Sequence, residues 1–276
     1  MTVPRLSVRG PRGREYPWPP EEPTIHVPGI TRILSEHHRP ALVPWAARTV
    51  AEAAVKMTKT GALGALVEQS DAQAVDALKN VHAHNRDNAA NIGDEVHEAL
   101  EATMTGGQLP ELSPTAREAW GHLERLLDEL DVQPRHAEAT VYGDTGMADS
   151  PTPEKGYGGT LDLVADATLP GRSEPTRLVI DLKTHAKGGP YESAAWQVAA
   201  ARYATHIVTD SGDVVPMPET AGGLILVARV GEAIAVPVDA GENAFAAFAA
   251  CRDLYRLSDK TLRYVRSPIS TGGASQ

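Results

Sequence analysis

The chain has 276 residues, 42% of them hydrophobic and 22% charged, with a formal net charge of −10 at pH 7. That length can bury a substantial core, and that balance excludes disorder of the whole chain. No apolar run reaches the roughly 20 residues that a membrane helix needs, which sets aside a membrane partner and makes a cytoplasmic protein the expectation. The single cysteine, Cys251, excludes an internal disulfide, a Cys-rich zinc site and a four-cysteine iron–sulfur cluster from this chain alone. The acidity argues against indiscriminate coating of nucleic acid but is compatible with a local basic channel.

Residues 1–28 are rich in Pro, Arg and Glu and lack an apolar signal-peptide core, so they read as a flexible leader. Residues 29–134 read as a helical part. Within it, helical spacing predicts a segment over Thr31–Glu36 that Pro40 interrupts, a longer Ala-rich one over Pro44–Thr58, then helices over Asp71–Asn80 and Asn85–Met104. Thr105-Gly106-Gly107 ends the last of these. Ser113 and Pro114 are the expected N-cap and first residue of a further helix carrying Leu123, Leu126, Leu127 and Leu130.

The pattern changes near residue 136. Strands are predicted over His136–Tyr142, Gly159–Ala167 and Thr176–Thr184, with a Pro/Gly/Asp-rich loop at Gly143–Gly156. A helix over Pro190–Thr205, a hairpin of Gly223–Arg229 with Ala233–Val238, and a final helix over Gly241–Leu257 complete an α/β core spanning 135–266. The Ser/Gly/Thr-rich residues 267–276 read as a flexible tail.

Side chains two apart on a strand share a face, about 6–7 Å apart along it. In Thr176–Thr184, Leu178, Ile180 and Leu182 form one apolar face, which leaves Val179, Asp181 and Lys183 on the other. In Gly159–Ala167, Leu161, Leu163 and Ala165 are expected on one face, with Asp162, Val164 and Asp166 opposite. If these strands pair, Asp162 and Asp181 converge on one cation, and their hard oxygens suit Mg²⁺ or Mn²⁺ over zinc. Phosphodiester hydrolysis needs that arrangement. One or two divalent ions offset the charge that develops on the phosphate and acidify the attacking water, while an adjacent ammonium orients it. Asp-x-Lys alone is also a common pattern of solvated strand residues.

Taken in order, GGTLDLVAD, VIDLKT and a following helix with Gln197 resemble the PD-(D/E)XK nuclease superfamily, in particular its RecB-like branch of phage exonucleases and CRISPR-associated adaptation nucleases. The resemblance covers about residues 90–240, and the Pro28–Trp45 segment also looks like the start of phage-encoded exonucleases. It implies a restriction-endonuclease-like core, a mixed central sheet flanked by helices, behind the helical N-terminal part. It implies that Asp162 and Asp181 bind Mg²⁺ or Mn²⁺ with the backbone carbonyl of Leu182, and that Lys183 activates or positions the nucleophile. A Gly-x-x-x-His signature of that branch matches Gly93 and His97, which share a helix face. By resemblance His97 ligates a second ion, and the bare Gly93 would let another element approach closely. Glu138 is either a further ligand on the first core strand or an ordinary exposed glutamate. Gln197 either bonds the attacking water or DNA or is a solvated helix residue.

The pattern departs from the family at three places. Leu161 stands where the name-giving proline would precede the aspartate, and the cluster-binding cysteines of some relatives are missing, so no iron–sulfur cluster is expected. The tyrosine usual four residues after the glutamine is replaced by Ala201, while Tyr203, six residues on, lies off the Gln197 face. The activity implied is an exonuclease acting on DNA in recombination or processing, with a recombination or strand-annealing protein as a partner. A phage origin would place it in the host cytoplasm. The alternatives are a non-catalytic DNA-binding or recombination scaffold on the same fold and a structure-specific endonuclease. His37-His38, the His82/His84 pair, His185, Lys187, Arg172, Arg177, Arg202 and Asp166 are set aside. Asp166 lies about 13 Å along the strand from Asp162, and neighbouring or i+2 helix histidines point apart.

Overall fold

The computed structural model describes residues 6–37, 42–143, 156–184, 189–209 and 211–258, apart from the side chains of 42 and 84–86. The expected tail and the interior of the Gly143–Gly156 loop, with His38, His185 and Lys187, lie outside the described residues. The fold is mixed α/β, as expected: a seven-stranded mixed sheet flanked by helices. Its strands are β4 (Gln133–Gly143), β5 (Tyr157–Ala167), β6 (Thr176–Thr184), β7 (His206–Val208), β8 (Val214–Pro216), β9 (Gly222–Arg229) and β10 (Glu232–Val238). Their order is β10-β9-β6-β5-β4-β7-β8, with β6 and β9 parallel and every other pair antiparallel. The short β7 and β8 escape the periodicity reading because three residues carry too little pattern.

Helices close both faces. On one, α1 (Ile30–Leu34), α6 (Glu192–Arg202) and α7 (Glu242–Leu257) bury Ile33, Val198, Ala199 and Phe248 against Val141, Val164, Val179 and Ile225. On the other, α4 (Asp71–Thr105) and α5 (Pro114–Glu129) bury Val96, Leu100, Trp120 and Leu123 against Leu163, Ile180, Leu182 and Leu224. The Ser113 hydroxyl caps α5 by accepting from the Ala116 amide at 3.4 Å, and Pro114 opens the helix. The two helices expected over Asp71–Met104 are one continuous helix, α4. Val81-His82-Ala83-His84 between them holds no Gly or Pro to break it, and Gly106 in the left-handed conformation ends it. With α2 (Leu42–Lys59) and α3 (Ala62–Gln69), the N-terminal half of α4 forms a helical arm; the C-terminal half lies on the sheet.

The flexible leader expected over residues 1–28 is not what the described part of that segment forms. β1 (Val8–Gly10), β2 (Gly13–Trp18) and β3 (Ile25–Pro28) make a three-stranded antiparallel sheet. Tyr16 and Val27 are buried with Tyr142 and Val208, and the Tyr142 hydroxyl donates to the Pro17 carbonyl at 2.8 Å. Proline and charge hid this sheet. Its apolar residues are few, but the core sheet supplies the aromatic partner that they pack on. β5 receives them at Gly158, where a Cβ would sit 2.6 Å from Tyr16 Cβ. No helix among the described residues is long and apolar enough to cross a membrane.

Two measurements probe this frame. Gly158→Ala should lose about 1–3 kcal/mol, the usual cost of overpacking, and thermal unfolding should show it; unchanged stability would mean that the small sheet does not seat there. Arg177 and Arg135 hold the Asp166 carboxyl down to about 2, against an ordinary 3.8. The depressed acid contributes stability above its unfolded value that is lost as pH falls through the folded one. Asp166→Asn should therefore flatten the acid limb of a stability profile between those two values.

Candidate metal centre

The site begins with a change of face in two neighbouring strands. Ala137 and Ala139, two apart on β4, pack into opposite cores, and so do Leu163 and Leu161 on β5. A regular strand would keep each pair together. This corrects the expectation that Leu161, Leu163 and Ala165 share a face. Between the alanines stands Glu138 at φ 45°, a left-handed backbone that a non-glycine residue adopts at a cost and that clusters at functional sites. Opposite it the β5–β6 ladder stops at Leu163↔Ile180. Past that point the Asp162 carboxylate takes the place of a strand and accepts the Leu182 amide at 2.6 Å. The amide and carbonyl of a strand residue leave on the same side, so the Leu182 carbonyl faces the same gap.

Three side chains meet there. Ligand atoms of His97, Glu138 and Asp162 all lie within 4.8 Å of one another, and His97 Nδ1 is 3.4 Å from Asp162 Oδ1. His97 arrives from α4 because Gly93, one turn earlier, lets that helix approach β6: a Cβ there would lie 2.8 Å from Thr184 Oγ1. Glu138, left open in the sequence, is thus one of the three. Asp181 is buried and turned toward a different pair. Lys183 Nζ lies 2.9 Å from its Oδ1 and 2.7 Å from its Oδ2, and Gln197 Nε2 donates to Oδ1 at 2.8 Å. Lys183 Nζ also donates to Gln197 Oε1 at 3.3 Å, which closes a three-membered network. Asp162, Asp181 and Gln197 line one cavity of about 50 Å³. Arg14, Tyr16 and Thr31 from the N-terminal segment line it too. Periodicity could not find them, since only the packing of the small sheet and α1 on β5 brings them there.

The electrostatics are those of crowded acids. Burial, with the Asp162 charge, pushes the Glu138 carboxyl up to about 8. Burial also raises Asp181 to about 6, with Lys183 opposing and Asp162 adding to the rise. At His97 burial disfavours the charge, but the Asp162 carboxylate outweighs it and lifts the imidazole to about 9. Asp162 moves the other way: burial opposes its charge, and His97, Lys183 and the Leu182 amide more than compensate. Such a group, mostly oxygen donors with one imidazole, has the chemistry of a site for a hard or borderline divalent ion.

The residues set aside mostly have structural work. Asp166 is bound by Arg135 and Arg177, and Arg202 donates to the carbonyls of Thr220 and Ala240. Tyr203 stacks on Phe245 with ring centroids 4.9 Å apart, away from Gln197. His37 packs edge-on against Trp196, and Arg172 is exposed.

Titration with Mn²⁺, followed calorimetrically, should show a bound ion whose dissociation constant rises at least about tenfold in Glu138→Gln and in His97→Ala. Gln197→Ala, whose side-chain hydrogen bonds among the described residues go to Asp181 and Lys183, should bind Mn²⁺ much as the parent does. Equal affinity in parent and Glu138→Gln would remove Glu138 from the centre.

No protein-family model matches the chain, and no curated protein matches it. A solved structure titled "Crystal structure of SSO0001" is similar with a TM-score of 0.30 at 12% identity, over 51% of this chain. The match spans 58% of that structure's own chain, and a likeness of this size carries no argument about activity.

Proposed function

We propose that this chain is a divalent-metal-dependent deoxyribonuclease with a PD-(D/E)XK-type core, an exonuclease acting in DNA recombination or processing. The observation that carries the reading is the pairing of two networks at one strand divergence: His97, Glu138 and Asp162 on one side, and Lys183 held by Asp181 and Gln197 on the other. The ordered resemblance of Gly93/His97, Asp162, Asp-Leu-Lys and Gln197 to RecB-like nucleases supports it, and that resemblance alone supports the exonuclease mode.

His97, Glu138 and Asp162 would hold Mg²⁺ or Mn²⁺, with Asp181 and the Leu182 carbonyl at the edge of the same gap. A bound divalent ion supplies charge neutralisation at the phosphate and a more acidic water. The chain's own groups do the rest. Asp181 fixes the position of Lys183, and the ammonium donates a hydrogen bond to the attacking water or to a phosphate oxygen. Gln197 donates to the Asp181 carboxylate and accepts from Lys183, which ties the pair to α6. Burial of Asp181 strengthens each of these contacts by lowering the local dielectric.

The test is degradation of end-labelled linear DNA in Mg²⁺ or Mn²⁺, beside covalently closed circles. The parent should degrade linear DNA and spare circles, and Lys183→Ala should be slower by roughly 10²–10³-fold, the usual cost of losing one fixed hydrogen-bond donor to the transition state. Full activity in Lys183→Ala, or no metal-dependent cleavage of any DNA, overturns the proposal. Cleavage of circles would replace the exonuclease with an endonuclease.

A further inference from the structure

Four arginines precede residue 15 in a chain of net charge −10, and three of them lie among the described residues. Arg12 is committed: its guanidinium lies 3.7 Å over the Tyr255 ring and reaches Glu36. Arg9 and Arg14 are different. They stand directly opposite each other in the β1–β2 register and therefore share a face. Side chains so placed have Cβ atoms about 4.5–5.5 Å apart, and like charges there repel. Among the described residues neither guanidinium makes a hydrogen bond or an ion pair. The nearest acid in sequence, Glu15, alternates to the other face, where it meets His26.

Arg14 is also held in place. Its carbonyl accepts the Gly29 amide at 3.0 Å. Tyr16, two residues on and on the same face, is buried, and its hydroxyl lies 3.2 Å from Thr160 Oγ1. Both residues line the cavity that holds Asp162, Asp181 and Gln197. The Arg14 charge acts on Glu138, yet no carboxylate of the centre bonds to it. A guanidinium carried on a fixed strand backbone at the rim of an acid-lined cavity, bonded to none of the acids and set opposite a second arginine, is arranged for an anion that arrives from outside.

We infer that Arg9 and Arg14 grip the phosphate backbone of a nucleic-acid strand lying across the mouth of the cavity, which makes the N-terminal three-stranded sheet part of the substrate-binding surface. The inference rests on the nuclease reading and names how that site holds its substrate. The planar fork of arginine matches two phosphate oxygens at once, and a pair of forks spans what one lysine cannot. The positive face also answers the difficulty raised by the acidity of the whole chain, because it is local and adjoins the acids it must work with.

The test uses the full chain and a fluorescein-labelled DNA duplex with a single-stranded overhang, with binding followed by anisotropy in Ca²⁺ over a range of salt. Arg14→Ala should raise the dissociation constant at least about tenfold, and Arg9→Ala/Arg14→Ala should flatten the dependence of log affinity on log salt by about one to two units. Arg14→Lys should keep the slope and recover only part of the affinity, since it retains charge without the fork. Mn²⁺ affinity and thermal unfolding of each variant separate a lost phosphate contact from a collapsed site. Arg9→Ala, at an exposed position of a short edge strand, carries the test if Arg14→Ala does not fold. Parent-like affinity and salt slope in Arg9→Ala and the double variant, with DNA still degraded, overturn this inference and leave the nuclease reading standing. A parent chain that neither binds nor degrades the duplex overturns both.

Discussion

One hydrogen bond organises the centre: the Asp162 carboxylate accepting the Leu182 amide where β5 parts from β6. In an unbroken ladder a neighbouring strand would take that amide, and Asp162 would be an ordinary side chain on one face of the sheet. Because the strands diverge, the carboxylate lies in the plane of the sheet and closes an otherwise orphaned amide, and the gap behind it opens toward α4. A buried amide without a partner is costly, so the contact is strongly preferred once the ladder ends. It also fixes the direction of the Asp162 oxygen that faces His97.

Glu138 stands at the level of the divergence. Its left-handed backbone turns β4 over, so that Ala137 and Ala139 enter different cores, and it sends the glutamate to the same gap. Both strands therefore change face at the same level of the sheet. The strain is maintained because each half is anchored separately, Ala137 and Leu163 in the core under α4 and α5 and Ala139 and Leu161 in the core under α1 and α6. The centre then crowds its acids together, and the raised Glu138 and Asp181 carboxyls express that crowding.

Around this point the remaining elements act as mounts. Continuous α4 carries His97 inward because Gly93 lets it lie close to the end of β6. Helix α6 brings Gln197 to the Asp181–Lys183 pair while Val198 and Ala199 bury its other side. The N-terminal sheet reaches the cavity through Tyr16, seated on Gly158. Three separated stretches of chain thus meet at one divergence.

The sequence by itself determined the α/β class, the positions of β5, β6, β9, α5 and α7, and the alternation that puts Asp181 and Lys183 on one side of β6, since those follow from local periodicity and capping. It also marked Asp162, His97 and Gln197 as residues to watch, through their order along the chain. Only the tertiary structure decided that Glu138 joins His97 and Asp162, that Asp181 turns to Lys183 and Gln197, and that the Pro- and Arg-rich N-terminal segment is a packed sheet. The reason is physical. Alternation assumes a regular strand, and it fails at Glu138, where a positive φ changes the face. A segment too polar to predict a core acquires one only when a distant Tyr142 is brought against it.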